Sequence, residues 1–192
     1  METLNTRWSA PSPSWFKLNF DGTAHSGVAV GGGIIRENLG NLVLAYVGNF
    51  GSTSSNMAKA LALFWGLKLA LTIDAKRLII EGDSKLIIKV TKSVSGISWM
   101  LSNILKDIWS MIVWMEEFHI QHIYREGNSV VDSLTMAGLE MKEDGVTPRR
   151  SNRFIGKPRI KQIVVNKNYV KYGVEDIEKE ESDKDEDDME AM

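Results

Sequence analysis

The sequence predicts one α/β domain built on a mixed sheet, with a charged tail behind it. The first third alternates apolar and polar residues with the period of strands, and a helix-length apolar stripe follows it. Short branched segments then alternate with helical patterns until apolar density falls after Gly145. At 192 residues, 43% apolar and 25% charged, the chain has the size of one globular domain plus an appendage. The expected division is a proline-stiffened leader at 1–14, the domain at 15–140, and a tail at 141–192 without fixed structure.

Residues 15–20 (WFKLNF) alternate strictly and predict a strand that ends at Asp21 and Gly22. Residues 28–36 form a second strand, weakened or bulged by Gly31, Gly32 and Gly33. The turn signal NLGN at 38–41 leads into a third, LVLAYVGN, so these three make an antiparallel meander. After the polar loop GSTSS, Asn56 is the expected cap of a helix. Its apolar residues Met57, Leu61, Phe64, Leu67 and Leu71 fall at helical spacing as far as Ile73. The run RLIIE at 77–81 reads as a buried central strand ended by Gly82 and Asp83, and Ser84 can cap a helix over 85–93. A further helix is expected over 98–115, a fifth strand at 118–124 (FHIQHIY), and a last helix capped by Asn128 and reaching Leu139.

Composition removes several classes of chemistry. With no cysteine, disulfides, thiolate metal sites and a cysteine nucleophile are all excluded. The apolar stretch at 61–71 is interrupted by Lys68, so no membrane-spanning helix and no membrane partner are expected; the opening residues also lack the apolar run of a secretory signal. Charge is segregated. Residues 147–171 hold eight Lys or Arg and no acid, while 172–192 hold eleven acids against Lys179 and Lys184, which leaves residues 1–146 at −1 of the chain's −2. The basic stretch from Arg149 to Lys161 can contact phosphates, act as a nuclear import signal, or pair with the acidic tail; the tail could also engage a protein partner.

Chemistry is expected where strands end. Asp21 and Asp83 close strands that can be neighbours, where open α/β sheets place ligands, and Asp132 sits in the first turn of the last helix. Three converging carboxylates repel one another unless a cation lies between them, and hard oxygen donors select Mg²⁺ or Mn²⁺. Two such ions about 4 Å apart can activate water and stabilise the leaving oxygen of a phosphodiester.

Four segments in order, NFDGT around Asp21, SNMAKALALFWGLKLA on the first helix, IIEGDSK around Asp83 and HIYREGNSVVDSL around Asp132, resemble the ribonuclease H domain in its reverse-transcriptase-like form, common in plants. The likeness covers roughly residues 8–140. It implies a ribonuclease H-like fold, a five-stranded mixed sheet with helices on both faces. It also implies an Asp, Glu, Asp, Asp set holding two metal ions that hydrolyse the RNA strand of an RNA–DNA hybrid. Asp21, Asp83 and Asp132 match that set, but its glutamate falls on Lys59, in Asn56-Met57-Ala58-Lys59-Ala60 where the family reads N-M-A-E-A. The same resemblance implies nucleic-acid contacts at Gly22, Thr23, Ser55, Asn56 and Ser84.

Lys59 changes the local charge by two units, each worth about 4 kcal/mol at 4 Å and an effective dielectric of 20. The expectation is impaired or lost hydrolysis, with the lysine ammonium standing in the cation's place between Asp21 and Asp83. The alternative is a non-catalytic module that binds nucleic acid or protein. Blander roles exist for single residues: Asp21 as a turn residue, Asp132 as an acid at a helix N-terminus, Lys59 as a solvated helix residue. Glu81, two residues before Asp83, is a candidate partner for Lys59. His119 and His122 face opposite sides of one strand and make no joint metal site. Trp99, Trp109 and Trp114 read as core rather than as platforms for bases.

Overall fold

A computed structural model describes residues 7–93, 99–140 and 159–165, with 138–140 and 159–165 as backbone alone. The expected strands are β1 (Phe16–His25), β2 (Val28–Arg36), β3 (Leu42–Asn49), β4 (Arg77–Gly82) and β5 (Glu117–His122). The helices are α1 (Ser55–Thr72), α2 (Lys85–Lys92), α3 (Trp99–Ile112) and α4 (Ser129–Glu140), the last entered through a 3₁₀ turn at Arg125–Asn128. A further strand, β6 (Arg159–Val165), extends the sheet from within the segment read as tail, at its one apolar patch. The sheet order is β5-β4-β1-β2-β3-β6. Pairing is parallel across β5, β4 and β1 and antiparallel from β1 through β6, the mixed sheet that the order of elements requires.

The faces follow from the pleat. A Cβ on Gly31 would meet Ala62 of α1, while one on neighbouring Gly32 would meet Leu134 of α4, so the two helices cover opposite faces. The expected weakness at Gly31–Gly33 is thus a close-packed crossing. On the α1 side the core gathers Leu18, Phe20, Leu63, Leu67 and Tyr46, with α3 adding Leu105 and Ile108. No helix among the described residues is long and apolar enough to cross a membrane.

Several local expectations are corrected. β1 does not stop at Asp21: it continues to His25 and returns as β2 through Ser26 and Gly27, both at positive φ as a type I′ hairpin turn needs. Ser54, not Asn56, caps α1, its hydroxyl accepting from the Met57 amide at 3.2 Å. Asn128 is no cap either; it is buried, and its side-chain amide donates to the Phe20 carbonyl at 3.1 Å. Ser84 does cap α2, accepting from the Ile87 amide. Trp99 and Trp114 are 85% and 76% exposed, so of the three tryptophans only Trp109 packs against the core.

The described part of the leader lies against the sheet. The Trp8 indole donates to Asn19 Oδ1 at 2.8 Å, the Lys17 ammonium donates to the Ser9 carbonyl, and Trp15 stacks on His119 with centroids 4.9 Å apart.

Candidate functional site

The parallel ladder between β1 and β4 ends at the pair Phe20 and Gly82. Asp21 and Asp83 are the next residue on each strand, so both carboxylates emerge where β4 stops covering β1. The sequence placed them correctly relative to the parallel half of the sheet, although β1 itself runs on. The third partner comes from α1, which approaches β1 closely enough that a Cβ on Gly22 would lie 2.5 Å from the Ala58 carbonyl carbon and 2.6 Å from the Lys59 nitrogen. Only glycine admits that approach.

Lys59 therefore projects between the two strand ends. Its ammonium donates to Asp21 Oδ1 and, at 2.9 Å, to Asp83 Oδ1. The side chains of Lys59, Asp21 and Asp83 are only 19%, 6% and 14% exposed, which places the triad beyond the regime of weak surface pairs. Burial pushes the Asp21 carboxyl above its ordinary value against the pull of Lys59. Burial opposes charge on Lys59 as well, but the hydrogen bonds and charges of Asp21 and Asp83 outweigh it and hold the ammonium above its ordinary 10.5.

Because the folded value of Lys59 lies above the unfolded one, its contribution to stability is complete below pH 10.5 and is lost as pH climbs through the raised value. The difference in urea midpoint between the parent protein and Lys59→Met should accordingly hold steady up to that pH and shrink above it. A difference that is flat throughout the alkaline range would contradict the pairing.

Asp132 lies apart from this triad. It sits in the first turn of α4, and the guanidinium of Arg125 reaches both of its oxygens from one nitrogen, at 2.9 and 3.1 Å. Among the described residues no group of three or more Asp, Glu, His or Cys is arranged to hold a metal ion. The geometry agrees: an ammonium lies between two of the carboxylates and a guanidinium on the third. The residues present do not fit a divalent ion in this arrangement. With three aspartates against Lys59 and Arg125, the site comes close to neutralising itself.

A cleft of about 210 Å³ opens over these groups. Asp21, Gly22, Thr23, Ser55, Lys59, Asp83, Arg125 and Asp132 line it, together with Thr135 and Met136 of α4. Of the residues expected to touch nucleic acid, Gly22, Thr23 and Ser55 line the cleft, with the Ser55 hydroxyl accepting from the Ala24 amide at 3.1 Å. Asn56 is exposed and Ser84 is engaged as the α2 cap, and neither is part of the lining.

Sequence reasoning missed Arg125, Thr135 and Met136. No periodicity links Arg125 to Asp132 across the 3₁₀ turn, and only its neighbourhood in the REGN segment marked it. It also misplaced Glu81. That carboxylate is wholly buried and accepts from Lys17 at 2.8 Å, Asn19 at 2.9 Å and Gln121 at 2.6 Å, so it has no part in the Lys59 cluster. His122 touches the backbone beside the cluster, its Nε2 lying 3.0 Å from the Asp83 carbonyl oxygen. Of the basic stretch from Arg149 to Lys161 only the backbone from Arg159 onward is described, so its expected roles, and those of the acidic tail, fall outside the described residues.

Residues 19–138 match the family model described as reverse transcriptase-like. A protein of Arabidopsis thaliana named as a ribonuclease H protein is 29% identical over 129 residues, 66% of this chain and 21% of its own length. The chain thus spans about a fifth of that relative. Among solved structures, ribonuclease H1 of the archaeon Halobacterium salinarum superposes with a TM-score of 0.62 at 21% identity, covering 65% of this chain and 97% of that one. The N-terminal RNase H domain of a Mycobacterium tuberculosis protein gives 0.61 at 17% identity, with 65% and 96% covered. LC11-RNase H1, solved in complex with an RNA/DNA hybrid, gives 0.57 at 23% identity, with 62% and 92% covered. At these identities the structural likeness speaks for fold.

Proposed function

Since the chain belongs to the reverse transcriptase-like family and carries a ribonuclease H-like fold, we propose that it is a nucleic-acid-binding domain that takes RNA–DNA hybrid without cleaving it efficiently. The observation that carries this reading is the Lys59 ammonium donating to Asp21 and Asp83 together. A divalent ion entering there must displace a tethered cation that is already desolvated and hydrogen bonded. The loss of hydrolysis is thus a matter of electrostatics at one position, while the cleft around it stays open.

Substrate contacts fall to the cleft rim, with the backbone and hydroxyl groups of Gly22, Thr23 and Ser55 facing the strand, and Asn56 and Ser84 outside it. Mg²⁺ or Mn²⁺ would be the cofactor only of a form able to cleave. Titrating either ion against an end-labelled hybrid tests the proposal. The expected result is a retarded complex and intact RNA at every metal concentration. Robust cleavage by the unaltered protein, abolished by Asp21→Asn, would overturn it.

A further inference from the structure

α2 leaves the candidate site directly, since Asp83 lines the cleft, Ser84 is the cap and Lys85 opens the helix. Its inner face, Ile87, Ile88, Val90 and Thr91, is buried in the domain. On its outer face Lys85, Lys89 and Lys92 are exposed at spacings of four and three residues, which puts them in one row. No acid is present in α2, and none of these lysines enters an ion pair among the described residues.

Helix stability does not account for the row. Lys85 sits in the first turn, where the macrodipole favours an acid and disfavours a cation. Lys85 and Lys89 form a like-charged pair one turn apart, which weakens a helix of this length. Lys89 and Lys92 do suit the C-terminal turn, so the unfavourable choice is specifically the charge nearest the cleft. Set against a domain whose residues 1–146 carry −1 overall, three exposed cations in line, without an ion-pair partner among the described residues, are a local concentration of positive charge.

We propose that Lys85, Lys89 and Lys92 form a phosphate track that carries a nucleic-acid backbone away from the Asp21 and Asp83 cleft along α2. Seven helical residues span about 10 Å, enough to meet two or three successive phosphates of one strand. The contact is electrostatic and independent of sequence, and its energy comes mostly from counterion release. It rests on the nucleic-acid reading above and adds which surface supplies the charge.

The test compares the full-length parent, a K85A/K89A/K92A variant and a K76A/K106A control in anisotropy titrations of an RNA–DNA hybrid at several salt concentrations. The three lysines are exposed and alanine suits a helix, so an unchanged or slightly raised thermal midpoint is expected. The logarithmic salt slope should become shallower by up to about 2.7, and low-salt affinity should fall by about tenfold or more; the control should track the parent. A single K89E variant, inverting one charge in mid-row, should weaken binding in the same direction. A parent that binds hybrid while the triple variant keeps its slope and affinity would overturn the track and leave the proposed function standing. A parent that binds no hybrid overturns both. Binding to phosphatidylserine vesicles but not to hybrid, lost in the triple variant, would assign the row to a membrane surface and overturn the track.

Discussion

Lys59→Glu is expected to turn a site whose central place is held by a tethered ammonium into one that requires a divalent ion. The substitution removes the ammonium shared by Asp21 and Asp83 and leaves three carboxylates facing one another in a setting where the lysine was only 19% exposed. The gross electrostatic change is about 4 kcal/mol per unit charge at 4 Å. Residual solvent access reduces that, so a gain in Mn²⁺ affinity of about 100-fold, near 2.7 kcal/mol, is the reasonable scale. Without metal the variant should be less stable than the parent, because burial already opposes ionisation of Asp21. Added Mn²⁺ should raise its melting temperature while leaving that of the parent unchanged. Equal indifference of the two proteins to the ion would show that Lys59 is not what closes the site. Recovery of hybrid cleavage in the variant is a second readout, and it depends also on Arg125 releasing Asp132.

The second large effect lies away from the cleft, in the buried pair of Lys17 and Glu81. Their side chains are 3% and 1% exposed, and Asn19 and Gln121 complete the hydrogen bonding of the carboxylate. Lys17→Met keeps the aliphatic stem and strands the charge of Glu81, a change that typically costs about 3–5 kcal/mol. For a domain of ordinary stability this is a large part of the total. Adding Glu81→Gln should return most of the loss, since no uncompensated charge then remains buried. Urea denaturation of the single and double variants measures both. A loss below about 1 kcal/mol in Lys17→Met would mean that Glu81 finds water or another donor. Lys17 also holds the Ser9 carbonyl, so the single variant should loosen the leader as well.

The pattern of correct and incorrect expectations has a physical basis. Helix and strand positions follow from periodicity, apolar runs and capping residues, and all four helices and the five expected strands were legible that way. Caps were legible only in part: Ser84 does cap α2, but Ser54 and Asn56 are both good capping residues two positions apart, and the choice between them depends on how the chain leaves β3. The exposure of Trp99 and Trp114 was hidden because they flank α3 at its ends, where an apolar stripe no longer defines a face. β6 falls in the segment expected to lack fixed structure, since an edge strand needs a partner, here β3, to exist at all.

Sequence alone determined the family, the order of the first five strands and four helices, and four of the five charged residues that line the cleft. Asp21, Asp83, Asp132 and the lysine at position 59 were visible as motifs because each is fixed relative to its own strand or helix. Tertiary structure decided which charge neutralises which. Lys59 reaches Asp21 and Asp83 because α1 packs against Gly22, Arg125 takes Asp132, and Glu81 belongs to Lys17 rather than to Lys59. Ion pairing depends on distance and burial across elements far apart in the chain, and neither quantity is encoded in local spacing.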